Sequence, residues 1–222
     1  MLRVIRYDTL ATADLLANAV YEGEAGSKLS GEPLTKLIPG IANLGGFRPS
    51  GKGKTKNFIV LCTGGKSEEW PNSLDLRTGK FTYYGDNKDP VKELHDTPLG
   101  GNRILRDTFE SLHVGTDQRN RICPFFIFQT HPTPVSARSY QFKGLAVPGF
   151  VDMPETADLI AFWTTSKGER FLNYKATFTI LDAPLISRAW IDDLRDGSVP
   201  SVHAPPAWRE WVEIGKYRPL VV

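Results

Sequence analysis

Apolar residues recur at helical spacing along TLATADLLANAVY, residues 9 to 21, behind a Thr or Asp cap, which predicts a first helix. EGEAGSKLSGEPL then reads as loop. NFIVLCT, residues 57 to 63, is apolar and rich in β-branched residues between Lys-rich and Gly-Gly segments, the pattern of a buried strand, and KFTYYG reads as another. GGNRILRDTFESLHVG places Ile104, Leu105, Phe109 and Leu112 on one helical face, with a Gly-Gly entry and a Gly exit. Four strand-like runs follow: PFFIFQT, SYQFKGLAV, DLIAFWTTS and FLNYKATFTIL. ISRAWIDDLRDG and PAWREWVEIG have the pattern of short amphipathic helices, the first capped by Ser187.

Strands do not alternate regularly with helices in this order. That argues for an α+β fold on a curved, mainly antiparallel sheet. With 222 residues, 41% of them hydrophobic and 23% charged, the chain can bury a real core, and no repeat or linker divides residues 1–222. The ending YRPLVV suits a domain cut from a longer protein. No run of eighteen apolar residues is present and MLRVIRYDTL lacks the order of a signal peptide, so a cytoplasmic location without membrane attachment is expected. Cys62 and Cys123 each sit in an apolar run and read as core thiols.

The net charge is only +2, but its distribution is uneven. No acidic residue lies between Glu32 and Lys66, where Arg48, Lys52, Lys54 and Lys56 fall in or beside the glycine-bearing GGFRPSGKGKTK. Such a loop can follow a phosphate backbone and release counterions, or simply be a solvated surface loop. His95, His113, His131 and His203 have no metal-ligand spacing to one another or to cysteine, and no Walker loop or Gly-x-Ser-x-Gly elbow occurs. Asp75 followed by Asp86, Asn87 and Lys88 is a degenerate match to a Mg²⁺-dependent nuclease centre, so a self-contained nuclease using Asp75, Asp86 and Lys88 stands as an alternative.

The aromatic residues suggest different chemistry. Trp70, Tyr83 and Tyr84 lie near Asp75 in sequence, and alternation sends Tyr83 and Tyr84 to opposite faces of a strand. A ring face with one carboxylate suits an extruded cytosine, which needs stacking and an acceptor for its amino group. On the residues alone, the same rings read more readily as core aromatics.

WPNSLDLRTGKFTYYGDNK, followed by HDTPLGGNRILR, PFFIF, FKGLAVPG, ERFLNYKATFTILD, SRAWIDDL and GKYRPL, resembles the N-terminal domain of AspBHI-type modification-dependent restriction endonucleases. The resemblance covers roughly residues 40 to 220. That domain is similar in turn to the SRA fold, a PUA-like curved β-sheet or barrel flanked by helices that binds methylated duplex DNA and flips the modified cytosine. SRA domains carry an Asp, a Gly four residues later, then Phe-Thr-Tyr and a Gly. Asp75, Gly79, Phe81, Thr82, Tyr83 and Gly85 follow that order with one residue fewer between the Gly and the Thr.

The resemblance implies that Tyr83 rather than Tyr84 is the stacking ring, that Asp75 faces the cytosine edge, and that Trp70 is the second ring. Asn87, Lys88, Asn102 and Arg103 resemble segments near the DNA, while Lys143 stands where those domains carry an Asp. It implies a reader of double-stranded DNA containing 5-methylcytosine, the alternative mark being hydroxymethylated or glucosylated cytosine. Arg48, Lys52, Lys54 and Lys56 are then expected on the backbone. Cleavage, its Mg²⁺ and any oligomer contact would belong to a separate C-terminal nuclease domain, and no cofactor is expected in this one.

Overall fold

The computed structural model describes residues 2–26, 31–51, 53, 55–64, 70–166 and 168–221. In chain order its strands are β1 (Val4–Ile5), β2 (Leu15–Leu16), β3 (Val20–Tyr21), β4 (Phe47–Ser50), β5 (Phe58–Thr63), β6 (Ser73–Asp75), β7 (Lys80–Tyr84), β8 (Phe125–Thr130), β9 (Tyr140–Pro148), β10 (Leu159–Ser166), β11 (Glu169–Ile180) and β12 (Leu185–Ile186). The helices are α1 (Leu34–Leu37), α2 (Gly101–Val114), α3 (Glu155–Asp158), α4 (Arg188–Asp196) and α5 (Pro206–Ile214), with 3-10 turns at Tyr7–Thr12 and Thr116–Arg121. This is an α+β fold on a mixed, mainly antiparallel sheet.

The chain makes two compact units, Met1–Gly64 with Cys123–Leu145 and Ala183–Pro206, and Gly65–Ile122 with Ala146–Asp182 and Ala207–Val222. It enters and leaves each unit repeatedly, which is why no linker is visible in the sequence.

In the first unit β4 is antiparallel to β5, and β5 runs parallel to β8, pairing Ile59 with Phe125 and Leu61 with Ile127. A parallel pair covered on both faces needs a continuous apolar run. Phe58 through Leu61 and Phe125 through Phe128 are accordingly buried. Trp190 of α4 packs edge-on against Phe126 with centroids 6.0 Å apart. Helix α4 starts where expected, its Ser187 Oγ accepting the Trp190 N–H at 3.2 Å, and stops at Gly197, whose φ of 74° only glycine adopts freely.

The helix expected over residues 9 to 21 does not form. The chain makes a 3-10 turn and two short strands there instead. Asn18 at φ 66° breaks the segment, Leu15 pairs with Ile186, and Val20 pairs with Val4 and Gln141. Sheet pairing with distant residues outweighs a weak local helical preference.

In the second unit β11 is the central strand. It pairs with the end of β9 (Thr179 opposite Val147), with β7 (Ala176 opposite Tyr83) and with β10 (Asn173 opposite Phe162), and β6 forms the edge beside β7. Helix α2 covers one face, where Phe109 meets Phe178 edge-on at 5.6 Å and Phe178 meets Phe81 at 6.3 Å. Each such buried ring contributes about 1.5–3 kcal/mol. The strand path ends at β6 in this unit and at β4 in the first. Among the described residues no helix is long and apolar enough to cross a membrane.

Candidate nucleic-acid interface

The β6–β7 hairpin sets the geometry. Asp75 ends β6, and its carbonyl accepts from the Thr78 and Gly79 amides at 3.3 and 2.8 Å. Its Oδ1 accepts the Arg77 N–H at 3.0 Å, an Asx-turn bond, and that backbone donor holds the Asp75 carboxyl below the usual carboxylate range. Gly79 completes the turn at φ 69°, where a Cβ would also stand 2.9 Å from Pro219 Cβ and 3.0 Å from the Leu220 carbonyl oxygen. The Asp75 side chain stays 41% exposed. A carboxylate offers about four lone-pair sites, so acceptor capacity remains.

Register then separates the two tyrosines. Ser73 lies opposite Thr82, Leu74 opposite Phe81 and Asp75 opposite Lys80. Directly opposed residues share a face and successive ones alternate. Asp75, Lys80, Thr82 and Tyr84 therefore occupy one face, while Leu74, Phe81 and Tyr83 occupy the other. Phe81 and Tyr83 are only 1% and 3% exposed, with ring centroids 6.3 Å apart. Tyr83, the ring that motif order singles out, belongs to the core of this unit, and the ring on the Asp75 face is Tyr84.

Tyr84 is half-buried and meets Phe162 edge-on at 5.4 Å, and its backbone N–H donates to Asn72 Oδ1 at 2.7 Å. Lys175, exposed, stands opposite Tyr84 on β11, with Ile160 opposite Lys175 on β10. Trp70 is half-buried, and the exposed Lys88 places its ammonium 5.0 Å from the indole centroid, a cation–π contact. The structure thus adds Asn72, Phe162 and Lys175 to the sequence-derived set. The signal for Asn72 is its place in WPNSLD; the other two become visible only through strand pairing.

Asn87 and Asn102, expected to face nucleic acid, are 1% and 0% exposed. Asn102 Nδ2 donates to the Leu94 carbonyl at 2.8 Å and to Asn173 Oδ1 at 3.0 Å, and its Oδ1 accepts the Asp86 N–H at 3.1 Å. Asn87 Nδ2 donates to the Leu172 carbonyl at 2.9 Å, and Asn173 Nδ2 donates to the Gly85 and Asn87 carbonyls at 3.0 and 3.2 Å. Gly85 must be glycine here, because a Cβ would collide with Asn102 Oδ1. The asparagines are internal supports: they fix the segment that carries Lys88, and Arg103 follows on α2. Arg103 is 56% exposed and reaches Asp96 at 3.4 Å.

Asp86 spends both carboxylate oxygens on the α2 N-terminus, accepting from the Gly101 and Asn102 amides at 3.1 and 3.0 Å. A carboxylate there complements the helix dipole. Asp75 stands opposite Lys80, the first residue of β7, and Asp86 lies two residues past Tyr84, its last, so the length of β7, about 13 Å at about 3.3 Å per residue, separates them. They do not converge as a nuclease centre requires. Among the described residues no group of three or more His, Cys, Asp or Glu gathers as a metal ion would need.

In the first unit Arg48 is 2% exposed and its side chain is held inside the protein. Its Nη1 meets Glu32 Oε1 at 2.6 Å, its Nε donates to the Gly45 carbonyl at 2.8 Å, and its Nη2 donates to Tyr140 Oη at 3.4 Å. Lys56 donates to the Gly53 carbonyl at 2.7 Å, while Lys52 and Lys54 lie outside the described residues. Lys143 is half-buried beside Gln141, and burial lowers its pKa.

A family model described as "Restriction endonuclease AspBHI N-terminal" matches residues 15–222. The fold superposes on the DNA recognition domain of the cytosine modification-dependent restriction endonuclease LpnPI with a TM-score of 0.93 and 45% identity, covering 100% of this chain and 97% of that one. It superposes on the DNA modification-dependent restriction endonuclease AspBHI with a TM-score of 0.90 and 41% identity, covering 99% of each chain. The MspJI restriction endonuclease in complex with a 27-mer oligonucleotide shares the fold at a TM-score of 0.61 and 22% identity, over 75% of this chain and 41% of that one. No curated protein matches at a significant level.

Proposed function

We propose, from the premise that this chain belongs to the restriction endonuclease AspBHI N-terminal family, that it reads a 5-modified cytosine in duplex DNA as the recognition domain of a modification-dependent restriction endonuclease. The observation that carries the reading is its likeness along its whole length to the LpnPI recognition domain, at 45% identity. The hairpin geometry supports the finer chemistry. Asp75 and Tyr84 lie on one face, the anionic acceptor opposite the first residue of β7 and the ring at its last, about 13 Å apart along the strand at about 3.3 Å per residue.

In this account the modified cytosine leaves the helix, which costs a few kcal/mol. Stacking on Tyr84 returns roughly 1–3 kcal/mol. Asp75, whose lowered pKa keeps it ionised and unable to donate, offers its acceptor to a base amino group on the same face. Trp70, carrying Lys88 on its ring, supplies a second aromatic surface, and Tyr83 supports the hairpin from the core side. Lys52, Lys54, Lys56, Lys88, Arg103 and Lys175 are assigned to phosphates. Arg48, Asn87 and Asn102 are scaffold. The domain acts in the cytoplasm, and cleavage with its Mg²⁺ is assigned to a separate nuclease domain of the same enzyme.

The test is a titration of this chain against one duplex carrying unmodified, 5-methylated or 5-hydroxymethylated cytosine, at fixed salt and without divalent metal. Tighter binding to a modified form supports the reading and shows its tolerance at the 5-position. Equal affinity for all three contradicts it.

A further inference from the structure

Among the described residues β10 pairs with β11 alone, in an unbroken register from Leu159 opposite Ala176 to Ser166 opposite Glu169. Bonds on the far side of β11 reveal which β10 groups are left over. The Tyr174 carbonyl accepts the Gly85 N–H at 2.8 Å and the Leu172 carbonyl accepts from Asn87 Nδ2 at 2.9 Å, both away from β10. In an antiparallel pair, the residue opposite such a position also turns its N–H and C=O away from its neighbour. Ala161 and Trp163 lie opposite Tyr174 and Leu172, so they and, by the same alternation, Thr165 aim their backbone groups off the free side of β10. All three residues are exposed, Trp163 by 59%. Among the described residues none of them has a backbone partner on that side.

Proteins blunt such edges with lysine, proline, a bulge or a short strand. LIAFWTTS, residues 159 to 166, has no charge and no proline, and its register has no bulge. Without lysine or arginine the strand offers nothing to a phosphate, and its open backbone groups suit the addition of another strand. We propose that β10 pairs antiparallel with β10 of a second copy of this chain, about a two-fold axis at Trp163. The spacing is self-complementary. On that axis Trp163 meets its own counterpart, and Ala161 of each copy meets Thr165 of the other, so every outward N–H of the three finds a carbonyl. Charge favours the same occupant, because an uncharged strand brings no like charges face to face with its own copy. Arg170 stands opposite Thr165, so the axis sets the two Arg170 side chains about 13 Å apart along the strands at about 3.3 Å per residue. Each keeps its guanidinium carbon 5.4 Å from the Trp163 ring centroid of its own copy. The pairing is independent of how the base is read.

The experiment is sedimentation equilibrium without DNA, from about 1 μM to about 1 mM chain, on the parent, Trp163→Lys, Trp163→Glu, Ala161→Pro and an equal mixture of the first two variants. The parent mass is expected to rise with concentration toward that of a dimer. Trp163→Lys and Trp163→Glu each set like charges directly opposite and should weaken the dimer roughly tenfold or more, with the thermal midpoint unchanged because the indole is exposed. Their mixture should recover it, since position 163 faces its own counterpart. Ala161→Pro removes an outward N–H and no bond to β11, and should also weaken the dimer. A parent that stays monomeric to about 1 mM overturns the proposal and leaves the edge to a strand from another protein. A dimer that the variants leave unchanged, or a mixture no stronger than its components, overturns the two-fold at Trp163.

Discussion

Asp75 stands opposite Lys80 and therefore shares a hairpin face with Tyr84, four residues further along β7. That one register puts an anionic acceptor and a half-buried ring on one face, about 13 Å apart along the strand at about 3.3 Å per residue.

The acceptor role is testable at Asp75. Hydrogen bonds to charged groups are worth about 1.5–3 kcal/mol, so Asp75→Asn should weaken modified-duplex binding roughly 10- to 150-fold and leave nonspecific binding nearly unchanged. Asn keeps an oxygen for the Arg77 amide, so the turn survives the change. Because this carboxyl is held below the usual range, recognition should persist as pH falls through the ordinary carboxylate range and fail only below it. Titrations from pH 8 downward check this. Equal loss on modified and unmodified duplexes would contradict the role.

Tyr83 makes the opposite prediction. A ring 3% exposed in the core should cost about 3–5 kcal/mol of unfolding free energy when changed to Ala, measured by urea denaturation. A loss below about 1 kcal/mol would show that it is not packed as described.

Arg48 should likewise report stability rather than binding. Removing one partner of a buried ion pair costs about 3–5 kcal/mol, so Arg48→Ala should lower the denaturation midpoint strongly, while Lys52, Lys54 and Lys56 replaced together should flatten the salt dependence of DNA affinity. An Arg48 variant with native stability and a flattened salt slope would reverse this assignment.

Most long elements were legible because their patterns repeat. α2 shows its apolar face in ILRDTFESL, and β5 and β8 show continuous apolar runs. The first twenty residues misled because Leu15 and Val20 are held by Ile186 and Gln141, more than a hundred positions away. The basic residues were visible as charges but not as partners: nothing local marks Glu32 as the residue that buries Arg48. Asn87 and Asn102 looked like polar loop residues, and only the fold brings Asn173 between them. Tyr83 and Tyr84 could be told apart only by knowing that Asp75 opposes Lys80, since counting along a motif does not give register.

The cysteines carry a pH prediction. Burial pushes the Cys62 and Cys123 thiols up to about 12, although part of each residue remains accessible. The folded chain keeps protons that an unfolded chain releases near pH 8.5, so their contribution favours the fold below that pH and is lost as pH rises toward 12. At pH 8 iodoacetamide should leave both thiols unmodified in the native chain and alkylate both in urea. Rapid native labelling, counted by mass spectrometry, would contradict the shift.

The most direct measurement is the ratio of affinities for 5-methylated and unmodified duplex, taken for the parent chain, Tyr84→Ala and Tyr83→Phe at one salt concentration. The account predicts that the parent prefers the methylated duplex, that Tyr84→Ala loses roughly 5- to 150-fold of that preference, as base stacking worth about 1–3 kcal/mol requires, and that Tyr83→Phe keeps it. A Tyr84→Ala chain that discriminates as well as the parent would contradict the shared Asp75–Tyr84 face as the place where the base is read.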